Sequence, residues 1–234
     1  MPDLFNSGTL DMPVAPLEHA AAVIPWSGVT VNRIAVLVLI VLVLVSLKDV
    51  LLIFPSLLRC VPLWKGNLEL EHSVSMARTR GWVALLAGIV FSVIADRYAL
   101  LNPLWKEAAG PEWGIAITAA LLLGTALLRD IIVLVTPMRS SNSEFAGCVR
   151  HSVYNYFILM VSLALVSALL CEAFRVPDSA ARTVILVEVV MFYLLHLLRY
   201  GQILRFRCGI FATFLYLCAL EILPLGILVL TCTR

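Results

Sequence analysis

Six apolar runs, each about as long as a bilayer is thick and each bounded by charge, proline or glycine, divide this chain. A hydrocarbon core about 30 Å thick needs roughly 20 apolar residues per helical crossing. Inside it every main-chain polar atom has to be satisfied within its own helix. The composition agrees: 62% of the 234 residues are hydrophobic and 14% charged, where a soluble domain has roughly half and about a quarter. The expected fold class is therefore an all-α membrane protein, a bundle of about six transmembrane helices in one domain.

Long apolar runs and their stops predict helices over 33–54, 81–101, 114–135, 153–174, 183–204 and 210–230. Pro55, Pro103, Pro137 and Pro177 follow the first four, and residues before proline resist helix. Residues 1–32 read as a flexible tail. They contain Pro13, Pro16 and Pro25 and lack the basic start and short apolar centre of a cleavable signal.

The net charge of +2 and the scattered cations argue against a nucleic-acid partner. One set of loops is richer in cations: Arg59, Lys65, Arg78 and Arg80, then Arg139 and Arg150, then Arg205 and Arg207. The opposite set holds Arg33, Arg97, Lys106, Arg175, Arg182 and Arg234, mostly beside acidic residues. Lys and Arg in short loops set orientation. The richer loops are expected in the cytoplasm and both termini outside it.

The first and third helices end alike, with Lys48-Asp49 before Pro55 and Arg129-Asp130 before Pro137. This similarity suggests three tandem helical hairpins; snorkelling cations near helix ends offer the plainer explanation. Sequence neighbours point about 100° apart on a helix, so neither doublet can satisfy itself face to face. Reciprocal pairs of Lys48 with Asp130 and of Arg129 with Asp49 are expected between the two helices.

Ionisable groups in hydrocarbon cost about 2.5 to 3.5 kcal/mol each at a helix centre and mark the candidate site. Glu221 lies mid-helix in the sixth run, three residues before Pro224. The missing N–H of Pro224 should kink the helix and free the carbonyl of Leu220. On the fifth run Glu188, His196 and Arg199 fall within about 80° of one face. A hairpin packed on that face would join all four groups. The structural reading is a helix–helix clasp; the functional reading is a proton or ion path or a buried polar binding site.

No catalytic motif is present, and no cofactor or metal is expected. His72 and His151, with Cys60, Cys148 and Cys208, lack zinc-ligand spacing. The six cysteines read as buried thiols. Trp64, Trp82, Trp105, Trp113 and Tyr98 stand where an interfacial aromatic belt belongs. Residues 57–76 could lie along the membrane surface.

The closing segment Phe214-Leu215-Tyr216-Leu217-Cys218-Ala219-Leu220-Glu221-Ile222-Leu223-Pro224, preceded by the basic stretch 199–207, resembles the C-terminal signature of the bacterial multi-spanning membrane family DUF4271. The middle, from Leu127-Leu128-Arg129 through Tyr154-Asn155-Tyr156, is similar in arrangement; the first hairpin is similar only in hydropathy. The resemblance implies a bacterial inner-membrane setting, gives weight to Glu221 and Pro224 as motif members, and carries over no activity.

Three function classes stay open. The first is a non-enzymatic envelope assembly or scaffold component whose partners, besides the lipid bilayer, are other membrane proteins or further copies of itself. The second is a small proton- or ion-coupled transporter or channel subunit using Glu221, Glu188 and His196. A membrane enzyme on lipid-like substrates fits least, because no Asp, His or Ser cluster faces a membrane boundary at convincing spacing.

Overall fold

Each of the six apolar runs folds as a helix long enough to cross a membrane, and the chain is an all-α six-helix membrane bundle. The computed structural model describes residues 25–61, 74–135, 143–207 and 209–233. Most of the N-terminal tail, Trp64, Lys65, His72, Pro137, Arg139, Cys208, Arg234 and most of the surface stretch lie outside these residues.

A 3-10 turn at Trp26–Gly28 leads into α1 (Thr30–Cys60). After it come α2 (Val74–Arg97), the short α3 (Leu104–Ala108), a second 3-10 turn at Pro111–Trp113 and α4 (Gly114–Val135). The chain continues through α5 (Ser143–Ala173) and α6 (Asp178–Arg207). The last span is composite: α7 (Ile210–Leu217), a π-helical turn at Cys218–Ile222, and α8 (Leu223–Thr233).

The central helix is α2, two-thirds buried (67%) where the other spans are mostly exposed. Ala87, Ser92 and Ala95 on it are buried, and small residues let neighbouring backbones approach closely in lipid. Helices α1, α4 and α5 pack on α2, α5 packs on α6, α6 on α7, and the last span returns to α4. Five spans thus close a ring, with α1 outside it against α2 and α5. The tandem-hairpin expectation is met least in the middle: α4 and α5 each pack on α2 and meet each other through the Tyr154–Asp130 hydrogen bond.

Helix ends differ from the expected boundaries for physical reasons. α1 does not stop at Pro55 but runs on to Cys60. Ile53, Leu57 and Cys60 are almost wholly buried, and the Tyr156 hydroxyl donates to the Cys60 carbonyl at 3.0 Å. Packing of that last turn outweighs the one main-chain bond that proline removes. Residues 25–32, expected in the tail, belong to the fold: Asn32 Nδ2 donates to the Trp26 carbonyl at 3.0 Å and Arg33 Nε to that of Ser27 at 2.6 Å.

α2 ends at Arg97, not Leu101, and α6 begins at Asp178, directly after Pro177. Ala99 and Arg175, at φ 48° and 51°, take the left-handed position that closes α2 and α5. The N–H of Leu100 then reaches the Ala95 carbonyl and that of Val176 reaches Cys171, both at 2.8 Å, the six-to-one bond of a Schellman cap. Trp82, Trp105 and Trp113 are exposed, but Tyr98 is buried. Of the cysteines expected to be buried, Cys60 is; Cys171, Cys218 and Cys232 are partly exposed.

Candidate functional site: an intramembrane polar circuit

Glu221 sits in the π-helical turn, near the middle of the last span. Within this wide turn the N–H of Leu223 reaches back five residues to the Cys218 carbonyl. Pro224 follows at the second position of α8, where the missing N–H is least costly. The expected consequence of Pro224 was a kink; its realised form is this turn, which inserts one extra residue into the helical register. The Tyr193 hydroxyl of α6 donates to the Glu221 carbonyl at 3.3 Å.

The Glu221 side chain is 4% exposed and meets two helices. Arg129 Nε of α4 donates to Oε1 at 3.1 Å, with Nη2 at the same distance. His196 Nε2 of α6 lies 3.2 Å from Oε2. Tyr156 and Tyr200 flank the imidazole, ring centroids 5.4 and 5.5 Å away. Beyond Arg129, Asp130 Oδ1 lies 3.7 Å from Nη1, and the Tyr154 hydroxyl of α5 donates to Asp130 Oδ2 at 3.2 Å.

The contacts form a circuit. It runs from α5 through Tyr154 to Asp130 and Arg129 on α4, then to Glu221, to His196 on α6, and back to α5 at Tyr156. Ile203, Leu204 and Leu220 with Tyr200 form a buried apolar cluster beside it. In such surroundings a charge is tolerable only when paired and hydrogen-bonded.

Some sequence-predicted residues are not in this circuit. Glu188 instead accepts a hydrogen bond from Ser167 of α5, and Arg199 Nη1 donates to Gln202 at 2.9 Å. A shared helical face brought only His196 to Glu221. The expected reciprocal pairs also fail: Arg129 and Asp130 turn into the circuit, where against expectation the two neighbours lie within ion-pair reach of each other because the long side chain of Arg129 bends toward Asp130, while α1 packs on α2 and α5. Lys48 is exposed and Asp49 half-buried. Sequence neighbourhood carried no information on which helix α4 would face.

A second buried polar group lies at the opposite end of the bundle. Lys106 Nζ is 2.6 Å from Asp96 Oδ1, and Trp26 Nε1 donates to Asp96 Oδ2 at 2.7 Å. Lys106 also donates to Thr118 Oγ1 at 3.2 Å and to the Leu101 carbonyl at 3.3 Å. Gly114 makes room: a Cβ there would lie 2.6 Å from Asp96 Oδ1. Beside it Arg97 spans Asp178, both bonds 3.1 Å, and lies over the rings of Trp26 and Tyr98. Burial pushes the Tyr98 phenol above its ordinary value, against the opposing pull of the Arg97 guanidinium. Sequence reading treated Asp96 and Lys106 as loop charges; the missed signal was Gly114 and Thr118 one turn apart on the facing helix.

No family model, curated protein or solved structure matches the chain. The circuit ties three helices of the ring to one carboxylate; the second group pins the start of α1 and the α3 segment to the end of α2. Both arrangements hold helices together through buried, paired charge.

Proposed function

We propose that this chain is a non-enzymatic assembly component of a bacterial inner membrane, its termini on the non-cytoplasmic side. What carries the reading is the closure of Glu221. Its two carboxylate oxygens face Arg129 and His196, and its side chain is buried among α4, α6 and the last span. A carboxylate held by a guanidinium is a clasp, suited to fixing one helix arrangement. The resemblance of the closing motif to DUF4271 supports the bacterial setting, and the cation-rich loops support the orientation.

A proton-coupled role is the second reading. Nδ1 of His196 and Oε2 of Glu188 are buried without a hydrogen-bond partner among the described residues, and intramembrane histidines and carboxylates serve proton relays elsewhere. Purified protein in liposomes loaded with a pH-sensitive dye separates the two. Vesicles as tight as protein-free ones under an imposed pH gradient, with a discrete complex larger than one chain in extracts of native membranes, are expected. Proton flux lost on Glu221→Gln would overturn the assembly reading.

A further inference from the structure

We propose that Glu188 is a proton-binding site open to lipid: its carboxyl is a neutral acid, with Oε1 bonded to Ser167 and the proton carried on Oε2. This goes beyond the assembly reading and does not depend on it.

Glu188 lies on α6, about 15 Å along the helix from Asp178 and so well inside a hydrocarbon core about 30 Å thick. A carboxyl at that depth escapes the cost of bare charge in one of three ways: a cation, a reach to the membrane surface, or a proton. The residue types along the helices remove the first. α6 packs chiefly on α5 and α7. It has no Lys, Arg or His between Arg182 and His196, α5 has none between His151 and Arg175, and residues 210–233 of the last span have none. Arg182 is exposed, nearly two turns nearer the surface and about 120° round the helix. His196 faces Glu221. The neighbouring carboxyls are placed elsewhere, Glu172 beside Arg97 and Glu221 on Arg129.

Reach to the surface fails as well. Two methylenes cannot bridge the depth, and the Ser167 hydroxyl of α5 donates to Oε1, which holds the carboxyl between the helices. The oxygens fit the third way. Oε1 accepts, as the carbonyl oxygen of an acid does, while Oε2 is buried with no hydrogen-bond partner among the described residues. One carboxyl and one hydroxyl are too few oxygens to replace the water around a metal cation.

The site opens to lipid along one edge. Val184 and Met191, one turn either side of Glu188, are exposed, as are Leu163 and Leu170 around Ser167. Ile185 and Ala164 close the opposite edge and are fully buried. The site also stands apart from the circuit, because His196, the next histidine or carboxyl along α6, is about 12 Å further down. The proton is held and not passed on. It leaves the α5–α6 contact neutral where the Glu221 circuit is charged.

The test takes the full-length protein purified in a maltoside detergent, whose lack of ester carbonyls leaves the carboxylic-acid stretch visible in the infrared. At neutral pH the difference between wild type and Glu188→Gln should contain an acid band. Ser167→Ala should move that band to higher wavenumber, because Oε1 loses its donor. Dicyclohexylcarbodiimide, apolar enough to arrive through the micelle, should also react. The acid gives its proton to one carbodiimide nitrogen and a carboxylate oxygen bonds to the central carbon. The acyl group then moves from that oxygen to nitrogen, leaving an N-acylurea with nothing released. Peptide mass spectrometry should find this adduct on Glu188 about tenfold or more above Glu221, which Arg129 holds as an ion, with or without excess sodium chloride. A carboxylate band in place of the acid band, an acid band that Ser167→Ala leaves unmoved, Glu188 no more reactive than Glu221, or protection by sodium overturns the inference.

Discussion

Arg129 and Glu221, 92 residues apart in sequence, meet in the interior of the bundle with Nε donating to Oε1 at 3.1 Å. Each side chain is under a tenth exposed. The pair joins α4 to the last span and is the means by which a carboxylate can reside in the middle of a membrane helix. Its value is conditional, because a buried ion pair is expensive to form and more expensive to break on one side only.

Arg129→Met leaves Glu221 without its guanidinium and is expected to cost about 3–5 kcal/mol, on the order of 10 °C in thermal midpoint. Arg129→Met combined with Glu221→Gln removes both charges and should recover more than half of that loss. Thermal unfolding of the four proteins in one detergent checks the cycle. A double variant as unstable as the sum of the single ones would show that the pair is not coupled.

Pro224→Ala restores an N–H at the start of α8 and lets an ordinary α-helix run through Cys218–Ile222. Loss of the π-turn turns Glu221 by about 100° away from Arg129. The further penalty of Arg129→Met should then shrink to about 1 kcal/mol or less in the Pro224→Ala background, a coupling readable from the same melts. An undiminished penalty would mean that the turn does not depend on the proline.

At the Asp96–Lys106 end of the bundle, Gly114→Ala puts a Cβ against Asp96 Oδ1, and is expected to destabilise by about 1–3 kcal/mol through overpacking. Gly124→Ala, on the same helix with nothing within 4 Å of its Cβ, should be neutral or stabilise by up to about 1 kcal/mol. Asp96→Asn should release the indole of Trp26 and shift tryptophan emission, while Asp178→Ala, which removes an exposed partner of Arg97, costs about 1 kcal/mol or less.

Orientation is checked by labelling. A cysteine placed at Ser179, beside the α5–α6 turn, should react with an impermeant maleimide in intact cells, and one placed at Gly209, beside the α6–α7 turn, should not. The reverse pattern would invert the bundle without changing its packing.

Hydropathy alone was enough for the number of spans and their approximate limits, because the solvent requirement of each helix is a local property of about 20 residues. α4 matched its expected limits, residues 114–135. α1 overran Pro55 because the burial of Leu57 and Cys60 comes from other helices, which local sequence cannot report.

The choice of partner was likewise tertiary. Glu221, Pro224 and His196 stood out as costly residues in apolar runs, yet the run of charges along each helix could not say that Arg129 would turn to Glu221 and away from Asp49. Nor could it say that Glu188 would settle on Ser167. Asp96 and Lys106 looked like solvated loop charges until the close approach of α2 and α4 at Gly114 enclosed them. Which residues must find a partner follows from the cost of charge in hydrocarbon, a property of the residue and its span. Which partner each one finds depends on how helices distant in sequence are juxtaposed, and only packing around α2 decides that.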